Sequence, residues 1–180
     1  MKFAILILTA CFLFSQPTYK VDFGKDKMGE NWKIINDGVM GGLSKGQVTF
    51  NDNALTFKGK VSLANNGGFT SFKSPFESID LSEFEKVRMR VRGQGQTYGL
   101  TLEVERIWYM PYFKKKFTPK SDDWEILEFS LADFEQYRIG RTTGKMLTKK
   151  ELENILRVGI ITDEKREGSF ELEIDYIEFL

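Results

Sequence analysis

The sequence contains no histidine and only one cysteine, Cys11, and these two absences exclude most familiar catalytic centres. Without histidine, the chain cannot form a Ser-His-Asp triad, a Cys-His dyad or a histidine-ligated zinc or iron site. Cys11 lies in an apolar N-terminal stretch, so a processed chain would carry no disulfide, catalytic thiol or cysteine metal site. We therefore predict no catalytic residues, no metal site and no cofactor.

The chain also lacks an excess of either charge, with 26 lysine and arginine residues against 26 aspartate and glutamate residues. Loss of residues 1–15 would remove Lys2 and leave 25 cations against 26 acids, a net charge of about −1. This balance gives no reason to expect nucleic acid or an anionic membrane as a partner.

Residues 1–15 have the pattern of a secretory signal peptide. Lys2 supplies the positive charge, Phe3–Phe14 the apolar stretch, and Ser15 the small residue before the cut. The apolar stretch is too short to cross a membrane, which takes about 20 residues. The sequence therefore predicts export to the periplasm or cell surface and one mature domain at residues 21–180. Leu8–Cys11 also fits a lipobox, in which Cys11 would be lipidated instead, although the apolar run continues beyond it.

Alternation of apolar and polar residues predicts β-strands over most of residues 21–180. The clearest alternations lie at 54–61, 87–92, 100–105, 124–131 and 170–179, and an apolar run at 158–161 is typical of a central strand. In the last run, the alternation places Phe170, Leu172, Ile174 and Tyr176 on the inward face.

The runs at 87–92 and 100–105 flank a glycine-rich turn, as the two strands of a hairpin would. In such a hairpin the three outward arginines of the first run would face Glu103 and Glu105. We interpret these arginines as a solvated, ion-paired ladder, with an anion-binding surface as the alternative. They are Arg88, Arg90 and Arg92.

One helix is predicted near residues 149–156. Thr148 and Glu151 form a capping-box pattern, and Leu152, Ile155 and Leu156 recur at helical spacing. Many short strands with a single helix are typical of an all-β protein, and we expect two facing antiparallel sheets.

Three further patterns are candidates for function. Glycine-rich Asn36–Ser44 and Asn65–Phe69 are either ligand loops or turns whose polar side chains bond local amides. Trp108, Tyr109 and Tyr112 could contact a sugar ring or a protein. The alternative places Trp108 and Phe113 in the core and assigns the lysines at 114–116 to the protection of an edge strand.

Pairs of carboxylates are a catalytic pattern that the composition still allows. Glu103 with Glu105, or Asp122 with Asp123, could serve a glycosidase, but this spacing carries almost no specificity in a chain with 26 acids. A structural calcium bound by backbone carbonyls would leave no mark in the sequence.

Segments in order along residues 22–180 resemble the complex I intermediate-associated protein 30 family. The opening block is Trp32 with Asn36–Ser44, and the next is Phe57–Gly59, Val61-Ser62 and Asn65–Phe69. The later blocks are Arg92–Tyr98, Trp124, Phe129, Asp133-Phe134, Gly159-Ile160, Asp163–Lys165 and Gly168–Ile174.

The resemblance implies a galactose-binding-domain-like jelly-roll sandwich, similar to carbohydrate-binding modules. It also implies a non-enzymatic, chaperone-like binding role, since eukaryotic members assist assembly of respiratory complex I. The exported N-terminus departs from the mitochondrial pattern. The binding surface that the resemblance implies comprises Asp37, Met40, Gly41, Gly42, Ser44, Asn66 and Gly67.

These observations favour a non-catalytic, exported protein that binds a protein partner or a glycan. The two alternatives are a carbohydrate-binding module proper and a glycoside-processing enzyme. We expect no nucleic-acid partner and no membrane span.

Overall fold

The computed structural model describes residues 18–51, 53–93 and 95–180, in which two antiparallel sheets pack face to face. The predicted signal peptide and Cys11 lie outside the described residues. One sheet contains β1 (Tyr19–Asp22), β3 (Lys45–Phe50), β4 (Leu55–Val61), β6 (Lys86–Arg92), β9 (Glu125–Ser130) and β13 (Gly168–Phe179). The other contains β2 (Lys33–Asn36), β5 (Thr70–Lys73), β7 (Tyr98–Glu103), β8 (Tyr112–Phe117), β10 (Glu135–Arg138), β11 (Arg141–Met146) and β12 (Arg157–Thr162).

The order of strands within each sheet brings distant segments together. The six-stranded sheet runs β3-β4-β13-β6-β9, with β1 paired to β13, and the seven-stranded sheet runs β11-β10-β8-β7-β12-β5-β2. The predicted all-β sandwich is confirmed. No helix among the described residues is long and apolar enough to cross a membrane.

Aromatic side chains from both sheets meet in the core. Phe57 of β4 packs against Phe72 of β5 and against Phe170 of β13, with ring centroids 6.3 and 4.9 Å apart. All three side chains are at most 5% exposed, and full burial of one such ring contributes about 1.5–3 kcal/mol. The alternation that buries these rings turns the intervening residues of each strand outward.

The predicted helix begins where expected but is shorter. Helix α1 spans Lys149–Leu152, and the Glu151 carboxylate accepts a hydrogen bond from the Thr148 backbone N at 3.1 Å. The chain then leaves the helix, because Ile155 forms an antiparallel bridge with Ile79.

The predicted hairpin of residues 87–92 with 100–105 is wrong. Strand β6 pairs with β9 and β13, whereas β7 pairs with β8 and β12 in the opposite sheet. The turn between them therefore crosses from one sheet to the other.

The predicted inward position of Tyr176 is also wrong. The register of β13 against β6 shifts between Ile174 and Tyr176, which inserts one extra residue. After the shift, Ile177 and Phe179 are buried, and Tyr176 lies beneath the Lys20 ammonium, 4.6 Å from its Nζ.

Candidate binding site

Asp37 links the two glycine-rich segments through its buried carboxylate. Oδ1 accepts a hydrogen bond from the Ser44 backbone N at 3.0 Å. Oδ2 accepts hydrogen bonds from the Ser44 hydroxyl at 2.5 Å, the Gly68 N at 2.7 Å and the Phe69 N at 3.2 Å. Burial alone would raise the pKa of Asp37, but these hydrogen bonds outweigh it and hold the pKa below the usual aspartate value.

Glycines surround this carboxylate because no side chain would fit there. A Cβ on Gly42 would lie 2.3 Å from the Asp37 Cγ, and one on Gly67 would lie 2.6 Å from Oδ2. Gly41 ends the short 3-10 helix Asp37–Met40 with φ +86°, which favours glycine. We call Asn36–Ser44 and Asn65–Phe69 the signature segments. These contacts hold the two segments together, which is a structural, bracing role.

Asn66, another candidate from the family resemblance, lies at the edge of this cluster, next to Gly67. Asn66 is exposed and adopts φ +60°, a conformation that asparagine tolerates better than most residues. The Asn65 side chain donates a hydrogen bond to the Gly41 carbonyl at 3.1 Å. The side chain of Met40 lies outside what the structure describes.

The outer face of the seven-stranded sheet is a second, larger candidate. One row of outward residues crosses six strands: Lys33, Lys73, Gly159, Thr101, Lys114 and Glu135. Five interstrand steps of about 4.8 Å make this row about 24 Å long. Two glycines in the middle of the face leave room for the lysine side chains that lie across them. A Cβ on Gly159 would lie 2.8 Å from the Lys73 Cγ, and one on Gly99 would lie 2.6 Å from the Lys114 Cδ.

Charged side chains on this face are held in place by shared acids. Glu103 lies 2.5 Å from the Lys73 Nζ and 3.9 Å from the Arg157 guanidinium. The Arg157 Nε also donates a hydrogen bond to the Ser74 carbonyl at 2.7 Å. The geometry of these donors is therefore fixed before any ligand arrives.

A second shared acid lies farther along the same face. Asp163 lies 2.5 Å from the Lys114 Nζ and 3.2 Å from the Lys116 Nζ. Burial lowers the pKa of Lys114 even though its ion pair with Asp163 opposes this. The Lys114 Nζ also lies 3.8 Å from the centroid of Tyr137.

Tyr112 is the one aromatic candidate on this face. It stacks on Tyr137 with centroids 6.2 Å apart, and burial raises the pKa of both phenols. Next to them, the Thr101 hydroxyl is buried and has no hydrogen-bond partner among the described residues. Such a group costs free energy unless water or a ligand satisfies it.

Trp108 and Tyr109 lie in the loop between β7 and β8, and they are 72% and 44% exposed. The interpretation that places Trp108 in the core is therefore wrong, whereas Phe113 is buried in the core as that interpretation expects. The edge-strand interpretation of the lysines at 114–116 is also wrong, because β8 lies between β7 and β10. Strand β7 runs from Tyr98, beside Thr162 at the Asp37 end, to Glu103 about 17 Å away. The aromatic loop leaves from that far end, so the structure separates it from the signature segments.

The outer face of the six-stranded sheet holds the three arginines singled out in the sequence. Arg88 pairs with Glu128 at 2.9 Å, Arg90 with Asp175 at 2.6 Å and Arg92 with Glu173 at 2.8 Å. Each arginine thus has its own acid, as the ladder interpretation expects, but the acids come from β9 and β13.

The carboxylates that could serve a glycosidase lie in different surroundings. Glu103 is bound by Lys73 and Arg157, while Glu105, Asp122 and Asp123 are exposed. The described residues contain no group of three or more acids that could hold a metal ion.

Sequence reasoning missed the outer-face residues Lys73, Lys114, Arg157 and Asp163. The sequence contains a partial signal for the residues of β8, because Tyr112, Lys114 and Lys116 alternate with the buried Phe113 and Phe117. That alternation places the lysines on one face, but it does not reveal their partners from other strands.

Solved structures define the class of fold. Two structures of the family 11 carbohydrate-binding module from Clostridium thermocellum match with TM-scores of 0.66 and 0.67 at 14% identity. They cover 91% and 92% of this chain and 95% and 96% of theirs, and the first is bound to a β-1,3-1,4-mixed-linked tetrasaccharide. An agarase matches with a TM-score of 0.60 at 11% identity, over 91% of this chain and 24% of its own. The chain is thus a β-sandwich with the jelly-roll fold of carbohydrate-binding modules.

The family model for complex I intermediate-associated protein 30 matches residues 21–174. The chain belongs to this family, which confirms the resemblance noted in its sequence. No curated protein matches the chain. Family and fold together support a non-catalytic binding domain.

Proposed function

We propose that this chain is an exported, non-catalytic binding domain that holds a glycan on the outer face of its seven-stranded sheet. The observation that carries the proposal is the row of outward residues across six strands, in which the acids Glu103 and Asp163 hold Lys73 and Lys114 in place. Four cations on this face, Lys73, Arg157, Lys114 and Lys116, share only two acids. Lys114 is buried, but Lys116 and Lys73 are 50% and 20% exposed and keep donors for the hydroxyl groups of a ligand.

The cations of this face are preorganised for binding. Side chains already fixed by ion pairs lose little conformational entropy when a ligand binds, which reduces one of the costs of association. Partly exposed Ile35 and Ile161 on the same face offer apolar surface for the carbon side of a sugar ring.

The similar folds support this choice of ligand. A carbohydrate-binding module covering the same fold is solved with a bound tetrasaccharide, and the agarase carries this fold over about a quarter of its chain. The sequence identity to the module and to the agarase is only 14% and 11%, so their ligands cannot be transferred by likeness alone. The glycan proposal therefore depends on the side chains of this chain.

The test is a panel of soluble glycans screened by thermal unfolding and calorimetry. A ligand at 100 times its dissociation constant stabilises the folded state by about 2.7 kcal/mol. Lys73→Gln removes a charged donor from the face and should weaken glycan binding about tenfold or more. Lys58→Gln is the matched control, because Lys58 is equally half-buried but lies in β4 of the other sheet.

Two results would overturn the glycan proposal. One is a panel in which no glycan stabilises the protein, and the other is an equal effect of Lys73→Gln and Lys58→Gln. Release of reducing ends that Glu103→Gln abolishes would instead support the glycoside-processing alternative.

A protein partner is the second candidate, favoured by a family named for association with an assembly intermediate. Capture of proteins from the native host with wild type and with Lys73→Gln separates the two. A specific protein retained without any glycan response would favour this second candidate.

A further inference from the structure

Four apolar side chains are exposed together at the end of the sandwich opposite Asp37. We call Ile107, Trp108, Tyr109 and Ile139 the aromatic tip; they are 49%, 72%, 44% and 60% exposed. Tryptophan in folded proteins is usually highly buried, so a side chain left 72% exposed indicates a contact surface.

The tip is formed by two neighbouring turns of the seven-stranded sheet. Tyr137 pairs with Tyr112, so the β10–β11 turn at 138–141 lies beside the β7–β8 loop. The Arg138 Nε donates a hydrogen bond to the Tyr109 carbonyl at 3.4 Å, which joins the two turns.

Ile139 occupies its turn at a cost in stability. Its φ is +48°, a left-handed conformation in which a β-branched residue is an outlier. Asparagine or glycine would suit this position better, and an exposed isoleucine gains no core packing in return. The sequence thus keeps an apolar side chain at the tip where the backbone favours a polar one.

Two exposed arginines lie at the tip. Arg138 and Arg141 are directly opposite each other across the β10–β11 hairpin, an arrangement that destabilises a sheet. Neither forms a salt bridge within the part of the chain that the structure describes. Arg106, in the β7–β8 loop, does not add to this pair, because its guanidinium packs 5.1 Å from the Phe76 ring and the exposed Glu105 precedes it. The near-neutral total charge conceals this local excess.

We propose that the aromatic tip docks on the surface of a membrane that contains anionic lipids. Tryptophan and tyrosine favour the headgroup level of a bilayer, isoleucine favours the hydrocarbon beneath it, and arginine binds lipid phosphates. Charge complementarity selects the anionic surface, because the exposed Arg138 and Arg141 lie beside the apolar side chains of the tip and form no ion pair among the described residues. The two adjoining turns form a protruding tip, which suits shallow insertion into the headgroup layer. They do not form a groove of the kind that binds a peptide.

The experiment measures binding of the purified mature protein to phosphatidylcholine vesicles with and without phosphatidylglycerol. Cosedimentation gives the partition coefficient, and brominated lipids report whether a tryptophan enters the interface. We expect binding to the anionic vesicles only, with quenching that Trp108→Phe removes. Each cation near such a surface adds about fivefold, so Arg138→Gln with Arg141→Gln should lower the partition coefficient about 30-fold.

The control removes an equivalent charge pair elsewhere. Lys45 and Lys60 are exposed and directly opposite each other in the six-stranded sheet, so Lys45→Gln with Lys60→Gln changes total charge equally. Equal losses for the two double variants, equal binding to both kinds of vesicle, or binding to neither would each overturn the proposal. Since the glycan screen uses no lipid, its failure and the failure of docking are separate results.

Discussion

The two ends of the sandwich differ in how completely their polar groups and their backbone are satisfied. At one end the Asp37 carboxylate accepts four hydrogen bonds, and glycines occupy the positions where a side chain would clash with it. At the other end, Trp108 is exposed, Ile139 is strained, and Arg138 faces Arg141. Groups that satisfy one another stabilise the fold, whereas groups left unsatisfied by the fold are available to a partner.

The largest effect that tests this contrast is expected for Asp37→Asn. The asparagine side chain has an NH2 group in place of one carboxylate oxygen, and this group cannot accept the hydrogen bonds that the oxygen accepts. The backbone N–H groups of Gly68 and Phe69 therefore lose their acceptor. Loss of such charge-assisted hydrogen bonds should lower the free energy of unfolding by about 2–4 kcal/mol, measured by urea denaturation.

Asp133→Asn is the control for this change, because Asp133 is exposed and its substitution should stay within about 0.5 kcal/mol. An Asp37→Asn protein as stable as wild type would show that the bracing role is wrong and would favour a binding role for this residue.

The family signature could be recognised in the sequence, but its bracing role could not. Gly68 and Phe69 lie 31 and 32 residues from the side chain that they bind, and only the pairing of β2 with β5 brings them together. A glycine-rich loop with an acid is typical of both turns and ligand loops. The deciding fact was burial, which depends on the whole fold.

The same limit explains which strand predictions failed. Alternation predicted the strand at 87–92 and its outward arginines because side-chain direction is a local property. It could not tell that β6 and β7 belong to different sheets, because a turn that crosses the sandwich looks like a hairpin turn. Nor could it show the register shift before Tyr176, which one extra residue in β13 produces.

A somewhat smaller effect is expected from filling the space beside Asp37. Gly42→Ala would place a Cβ 2.3 Å from the Asp37 Cγ, so the carboxylate or the loop must move. Overpacking of this kind costs about 1–3 kcal/mol. Gly38→Ala is the matched control, since its Cβ would meet nothing within 4 Å.

Thermal and urea unfolding of both alanine variants measure this difference. Equal stability of Gly42→Ala and Gly38→Ala would contradict the close packing around the carboxylate.

Acid should reveal the same hydrogen bonds with a smaller effect. The pKa of Asp37 is lowered in the folded state, so its contribution is complete above the unfolded value of about 3.9. That contribution is lost as the pH falls through the lowered folded value. Wild type should therefore lose more stability than Asp37→Asn between neutral pH and about pH 2, in urea titrations at each pH. Parallel curves for the two proteins would show that the folded pKa of Asp37 is not lowered.

The smallest effect is expected at the opposite end, and its sign is reversed. Ile139→Asn replaces a β-branched residue at φ +48° with one that tolerates this conformation, which should stabilise the protein by about 1 kcal/mol. Lys165→Asn is the matched control, because Lys165 has φ +47° in the loop after β12, at the Asp37 end. Both variants should unfold at higher temperature, but only Ile139→Asn should bind anionic vesicles less well. If Ile139→Asn gains stability and keeps full vesicle binding, the strained isoleucine has no part in docking, and the contrast between the two ends rests on Trp108 and the arginines alone.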